Sequence, residues 1–259
     1  MDSCVSLNHI IMKIIIVIPV HNEETIIEQN IHSVLNVFDE QLAHDDWKLL
    51  IAENGSTDRT AKIIHTIIHP RLHILSFSQS GKGRTIREAW RTEPNADIYA
   101  FMDADLASDL KDIPALFAAL SSHDIAIGSR RVKGAHVTQT FLRRIISFAY
   151  TCTAHLFLNL SIHDLQCGFK AVKKDVTNEL LPLIQNDGYF FDTELIALAT
   201  LHGFRIAEVP IHWQETPDPR RKNHMHLGKT SHQMFLDLIH LRKRLKISRN
   251  IGVKLHNKV

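Results

Sequence analysis

Cysteine is scarce in this 259-residue chain: Cys4, Cys152 and Cys167 stand far apart with no CxxC pair. Neither a disulfide framework nor a structural zinc site is expected, and a reducing compartment fits. The 18 histidines form no HExxH and no Cys/His zinc pattern. Long apolar runs are missing too, since none reaches the roughly 18 residues of a membrane span. The longest, Ile10 to Val20, is broken by Lys13 and Pro19 and lacks a small-residue cleavage site, so it reads as a buried strand and not as a signal peptide. Met1 to Ile11 carries no pattern, which makes Met12 a candidate start. An excess of one charge is absent, with 30 Lys plus Arg against 28 Asp plus Glu, which argues against a nucleic-acid partner. There is no internal repeat, low-complexity tract or Gly/Ser linker.

What is present is an alternation of short apolar runs with helical periodicity. Lys13–Val20 is β-branched and almost wholly apolar, as a strand covered on both faces should be. A helix follows over Glu23–Leu42, with Ile27, Ile31, Val34, Leu35, Phe38 and Leu42 as its apolar stripe. Further strands are expected at Trp47–Ala52, Leu72–Phe77, Ile98–Met102 and Ile125–Ile127. Helices are expected after Ser56 as cap, after Gly81–Gly83, and over Ile113–Leu120 with Pro114 in the first turn. This βα alternation predicts an α/β fold with a doubly wound, mostly parallel sheet. The second half is less regular. Gln139–Leu160 reads as one helix or two, Gly168–Val172 as a strand, Thr193–His202 as a helix stopped by Gly203, Arg205–Val209 as a strand, and Ser231–Lys246 as a last helix.

Ligands of open α/β sheets gather at the carboxyl ends of strands. Three polar clusters stand at such ends: Pro19 to Glu23, Glu53 to Asp58, and Asp103-Ala104-Asp105. Two carboxylates just past a buried strand suit Mg²⁺ or Mn²⁺ with coordination positions left for phosphate oxygens, so Asp103 and Asp105 are the candidate metal ligands. Gly81-Lys82-Gly83 fails as a dinucleotide fingerprint, because position 86 is Ile. It also fails as a P-loop, which needs Gly where Ser76 stands. Lys82 is either a phosphate contact or a solvated loop lysine. Arg130 and Arg131, directly after the fifth strand, could position a phosphate acceptor through bidentate hydrogen bonds. A phosphate monoester is already largely ionised at neutral pH and needs positive charge more than a base. A hydroxyl acceptor would need a general base, for which Asp192 is the candidate; its other reading is a helix N-cap.

The motifs Val17-Ile18-Pro19-Val20-His21-Asn22-Glu23-Glu24, Asn54-Gly55-Ser56-Thr57-Asp58-Arg59-Thr60 and Met102-Asp103-Ala104-Asp105-Leu106 resemble those of family-two glycosyltransferases, in order. Gly128-Ser129-Arg130, Gln166-Cys167-Gly168-Phe169-Lys170 and Tyr189-Phe190-Phe191-Asp192-Thr193-Glu194 are similar to the polyprenyl- and dolichyl-phosphate branch, nearest its dolichyl-phosphate β-glucosyltransferase type. The resemblance spans about Lys13 to Trp213. It implies a GT-A fold and an inverting, in-line transfer of a hexose, glucose from UDP-glucose, to a polyprenyl phosphate. It also implies that Pro19, His21, Glu23 and Glu53 flank the nucleotide and that Asp103 and Asp105 hold the metal; Lys82 and Asp103 complete the expected nucleotide-sugar site. By the resemblance Arg130 and Lys170 face the acceptor and Asp192 lies near the reacting centre; with Arg131 as a further acceptor contact, the expected catalytic set is Asp105, Asp192 and Arg130. Two departures stand out. Glu53-Asn54 replaces the Asp-Asp of many relatives, and Leu106-Ala107 replaces the Leu-Gln of mannosyl-phosphate synthases, which leans away from GDP-mannose.

Two segments suggest a meeting with lipid. Phe141–Leu160 mixes aromatics and aliphatics with Arg143 and Arg144, as an interfacial helix or a helix packed on the sheet would. In the tail, Arg242, Lys243, Arg244, Lys246, Arg249, Lys254 and Lys258 cluster behind Met234, Phe235, Leu238, Ile239, Leu241 and Leu245. The expectation is therefore a GT-A domain over 12–226, a basic amphipathic extension over 227–259, and a cytoplasmic, peripheral location on the cytosolic membrane face. The alternatives are a hydroxyl acceptor on a glycan in polysaccharide assembly, and a non-catalytic module binding nucleotide sugars or membranes.

Overall fold

The computed structural model describes residues 11–215 and 227–250. Its centre is a seven-stranded sheet formed by β1 (Lys13–Val20), β2 (Asp46–Asn54), β3 (Leu72–Phe77), β4 (Ile98–Met102), β5 (Ile125–Ser129), β7 (Phe169–Lys173) and β8 (Ile206–Pro210). The spatial order is β3-β2-β1-β4-β7-β5-β8. All neighbours run parallel except β7, which lies antiparallel to both β4 and β5. β6 (His136–Thr138) and β9 (His212–Gln214) form a separate parallel pair. The expected mostly parallel, doubly wound α/β sheet is thus present, with one reversed strand inserted.

Strand composition explains the layering. In β1, Ile15 and Val17 enter one core while Ile14, Ile16, Ile18 and Val20 enter the other, so neither face is left to water. The second core is covered by α1 (Ile27–Gln41), α2 (Thr60–Ile64) and α4 (Ile113–Ala119), whose apolar stripes include Ile31, Val34, Phe38, Ile64 and Leu116. The first is covered by α3 (Lys82–Arg91), α5 (Phe141–Leu158), α6 (Lys174–Leu180), α7 (Phe191–Leu201) and α8 (Leu227–Asn250). Helix α7 is buried from Phe191 through Ala199, which is why its sequence shows little amphipathic contrast.

Local details depart from expectation for physical reasons. Ser56 does not cap α2, which begins after Arg59; its hydroxyl instead accepts the Asn22 N–H at 3.0 Å. Phe190, not Asp192, stands at the N-cap of α7, so the capping alternative for Asp192 falls. Met234, Leu238 and Leu241 of α8 are buried in the main core, so part of the expected tail stripe packs on the domain itself. Among the described residues no helix is long and apolar enough to cross a membrane. The boundary near 226, the candidate start region before Ile11, Lys254, Lys258 and the side chain of Arg249 lie outside the described residues.

Candidate active site

The three polar clusters meet because their strands are neighbours. β1 pairs with β2 on one side and β4 on the other, so the chain leaves the sheet at Val20, Asn54 and Met102 side by side. Pro19 is still within β1, opposite Ala52. After β1, Asn22 turns the chain with φ 54°, a left-handed conformation that Asn tolerates. Its side-chain oxygen accepts the Thr57 N–H at 2.8 Å, and His21 Nδ1 lies 2.8 Å from the Asn54 carbonyl. Glu23 is buried, and its N–H donates to Thr60 Oγ1. Glu53 is buried as well and accepts the Ser56 N–H. The first two loops therefore lock together through hydrogen bonds between side chains of one and main chain of the other.

The third loop carries the acidic pair. Asp103 N–H donates to the Gly168 carbonyl at 2.9 Å, and Leu106 N–H donates to the Asp103 carbonyl at 3.2 Å. Leu106 adopts φ 48°, a rare conformation for a bulky residue and one that clusters at functional sites. Asn30 of α1 holds the Ala104 carbonyl at 2.8 Å, and Asp105 Oδ1 accepts the Ala107 N–H. The Asp103 carboxylate lies directly over Gly168: any Cβ there would overlap it. Glycine is required at this close approach.

Beneath the carboxylates lies a chain of alternating charges. Lys82 Nζ reaches Asp103 Oδ1 at 2.8 Å and Asp192 Oδ2 at 3.0 Å. The other Asp192 oxygen accepts from Lys170 Nζ at 2.5 Å. Lys170 is 0% exposed, and its remaining donors go to the Leu165 and Cys167 carbonyls, so all three N–H groups are satisfied. Phe101 of β4 supports both ammonium groups, with Lys82 at 5.4 Å and Lys170 at 5.5 Å from its ring centre. Gly81 and Gly83 let the start of α3 approach Asp187 and Phe191 closely, which brings Lys82 over Asp192.

These contacts set the protonation states. Burial alone would push Asp192 up, but Lys170 and Lys82 overcome it and hold the carboxyl below its ordinary range. Desolvation raises the Asp103 carboxyl, helped by Asp105 and Asp192 and opposed by Lys82. Burial would lower the Lys82 ammonium, yet Asp103 and Asp192 raise it above the ordinary lysine value. Burial pushes the Cys167 thiol up to about 12, so it is an inert packing group.

On the far side of β7, Arg130 forms a fork with Asp164: Nε to Oδ2 at 2.7 Å and Nη2 to Oδ1 at 2.8 Å. It also lies over Trp213. Burial tends to raise Asp164, but Arg130 dominates and brings it down to about 2. Ser129 Oγ and the Asp164 N–H both bond Glu208 Oε1, which fastens this wall to β8. Arg131 donates to Ser147 of α5 at 2.8 Å and lies over Phe148.

The structure therefore brings together His21, Glu23 and Glu53 at one rim and Lys82, Asp103, Lys170 and Asp192 in one ion-pair network. Lys170, expected toward the acceptor, is enclosed beneath Asp192. The guanidinium edge of Arg130 expected to grip a phosphate is engaged with Asp164. Sequence reasoning missed Asp164, Gly168 as the seat of Asp103, and Glu208. The only available signal was the position of Asp164 two residues before Gln166-Cys167-Gly168-Phe169-Lys170.

Among the described residues no three His, Cys, Asp or Glu side chains converge as a metal cage. Asp103 and Asp105 nevertheless fit a hard divalent ion. Both offer carboxylate oxygens, and Asp103 is 46% exposed at the strand ends, leaving room for phosphate oxygens as further ligands.

The family model of glycosyl transferase family 2 matches residues 15–181, which include most of β1, the acidic pair and β7. This chain is a family 2 glycosyltransferase. Curated relatives of this glycosyltransferase include the dolichyl-phosphate beta-glucosyltransferase of Saccharomyces cerevisiae, 28% identical over 88% of this chain and 73% of the relative. The undecaprenyl-phosphate mannosyltransferase of Micrococcus luteus is 28% identical over 79% of this chain and 84% of the relative. Glycosyltransferase AglD of Haloferax volcanii is 28% identical over 81% of this chain, which spans only 34% of that relative's length. Among solved structures, the glucosyl-3-phosphoglycerate synthase of Mycobacterium tuberculosis in complex with uridine diphosphate shares the fold, with a TM-score of 0.68 at 18% identity over 90% of this chain and 80% of that one.

Proposed function

We propose that this family 2 glycosyltransferase moves a hexose, glucose from UDP-glucose, onto a polyprenyl phosphate, working peripherally on the cytosolic face of a membrane. The observation that carries the acceptor class is the state of Asp192. Both its oxygens are held by lysine ammonium groups and its pKa is depressed, so it is a poor general base. A hydroxyl acceptor would need such a base. A phosphate monoester brings its own anionic nucleophile and needs positive charge to hold it in line. The acceptors named for the yeast and Micrococcus relatives agree with that chemistry.

In this reading His21, Glu23 and Glu53 form the nucleoside rim beside Pro19, and Asp103 and Asp105 hold Mg²⁺ or Mn²⁺. The bound ion would neutralise the diphosphate that leaves the sugar. Lys82 adds a positive charge beside the same diphosphate. Asp192, oriented by Lys170, fixes Lys82 toward the sugar-phosphate bond. Arg131 supplies positive charge on the acceptor side, with Arg130 held beside it by Asp164. The acceptor phosphate oxygen attacks the anomeric carbon as the bond to the diphosphate breaks, which inverts the configuration.

The test is direct. Radiolabelled UDP-glucose, a divalent metal and a polyprenyl phosphate should give label that partitions into organic solvent. Label found only on water-soluble glycan, or release of free glucose unaffected by the lipid, would reject the acceptor.

A further inference from the structure

The side of α5 turned away from the core carries a row of exposed apolar side chains. Phe141 is 77% exposed, Ile145 48%, Phe148 60% and Leu156 78%. Cys152 occupies the remaining turn of the row and is exposed as well. The positions fall on one helical face and extend about 22 Å along the axis. Leaving so much contiguous apolar surface in water is unfavourable, and such patches mark interaction sites. The opposite side of the helix is accounted for: Ala154 is in the core, and the Tyr150 hydroxyl bonds Thr193.

Charge identifies the partner. None of the eighteen residues of α5 is acidic, and Arg144 is exposed beside the apolar row. Helix α8 packs next to α5 through Phe157 and Phe235 and exposes Lys243 and Lys246, with Arg242 over Phe157. An apolar strip edged by cations fits an anionic bilayer, with the rings at the acyl boundary and the basic groups among phosphates. The strip is also continuous with the proposed acceptor wall. Arg131 bonds Ser147 and lies over Phe148, while Thr193, the partner of Tyr150, follows Asp192 in sequence.

We infer that the exposed face of α5 is the membrane-docking surface of this enzyme, lying in the interface of an anionic bilayer so that the Arg130–Arg131 wall opens toward a lipid-borne phosphate. The inference rests on the acceptor proposed above and specifies how that acceptor is reached. Docking also makes the row a gauge of orientation: α5 lies flat, and the ends of β1, β2 and β4 stay in water, where a nucleotide sugar arrives.

The experiment compares the wild-type chain with a Phe141→Ser/Leu156→Ser variant, two exposed positions outside the ion-pair network. Flotation with phosphatidylcholine vesicles, with and without phosphatidylglycerol, measures docking. Wild type should float with the anionic vesicles, and the variant should bind them about tenfold more weakly or worse. The variant should glucosylate a short, water-soluble prenyl phosphate at the wild-type rate and lose transfer to a long-chain acceptor embedded in vesicles. Equal flotation of both proteins would overturn the inference. So would a change from dimer to monomer in the variant with vesicle binding unchanged, since the row would then be a protein interface. If wild type floats and the variant does not, yet neither prenyl phosphate is glucosylated, docking stands and the acceptor proposal fails.

Discussion

The proposed donor-side rim and the wall of buried ion pairs at β7 are built by different means. At the rim, the side chains of Asn22, Glu53 and Ser56 fix the loops by hydrogen bonds to main-chain N–H groups at the strand ends. At the wall, two ion pairs are drawn inside, Arg130 with Asp164 and Lys170 with Asp192. The first arrangement tolerates removal of a side chain such as that of Asn22 or Ser56, which is only partly buried, because water can replace it. The second does not, because each deletion strands a buried charge. The rim should therefore fail in activity and the wall in stability.

The largest effect is expected at the junction between the two. Asp103→Ala should lower turnover about a thousandfold, a loss of roughly 4 kcal/mol of transition-state stabilisation, while the urea midpoint stays near wild type. A comparable loss of stability would place Asp103 with the wall. Asp192→Ala should behave oppositely. It leaves Lys170 buried without its counter-charge and should destabilise the fold by about 3–5 kcal/mol in urea titration, in addition to any loss of activity. An unchanged midpoint would show that water reaches Lys170. Gly168→Ala is a finer probe: the new methyl group must push the Asp103 carboxylate aside, and a displacement of about 1 Å should cost about a hundredfold in turnover.

Acid titration separates the wall by pH. Asp164 has a folded pKa of about 2 against an ordinary 3.8. Because the folded value is depressed, its stabilisation is complete above about pH 4 and disappears as pH falls toward 2. Asp192, also depressed, adds in the same direction. Asp164→Asn should remove on the order of 2 kcal/mol at neutral pH and flatten that part of the acid-unfolding curve. The smallest effect concerns Lys82, which shares the Asp103 carboxylate with any bound ion. Lys82→Gln should bind Mn²⁺ alone a few-fold more tightly in calorimetry, whereas Lys82→Arg should not. Weaker binding by the Gln variant would mean that Lys82 organises the metal ligands instead of competing for them.

The same division governs what the sequence reveals. The half-buried edge strand β3 coincides with Leu72–Phe77 through Leu72, Ile74, Leu75 and Phe77. β1 and β4 coincide with the runs expected at Lys13–Val20 and Ile98–Met102, because strands buried on both faces must be continuously apolar. The acidic break at Asp103 was legible for the same reason. β6 and β9 were not, being three-residue strands whose pairing is decided by tertiary contact. α6, with the sequence Lys-Asp-Val-Thr-Asn-Glu-Leu, is too short and polar to show a period. The reversal of β7 leaves no local mark at all. Arg130 and Lys170 could be singled out as cations near an anionic substrate, but their partners Asp164 and Asp192 lie 34 and 22 residues away, and ion pairing at that range has no sequence signature.

The central claim, that Asp103 and Asp105 complete a metal-dependent nucleotide-sugar site, is tested most directly by the stability of the protein with UDP-glucose. With Mn²⁺ and the sugar nucleotide at about a hundred times its dissociation constant, wild type should gain roughly 2.7 kcal/mol, and Asp103→Ala should gain little. Equal stabilisation of both proteins, or stabilisation that survives a chelator, would contradict the account.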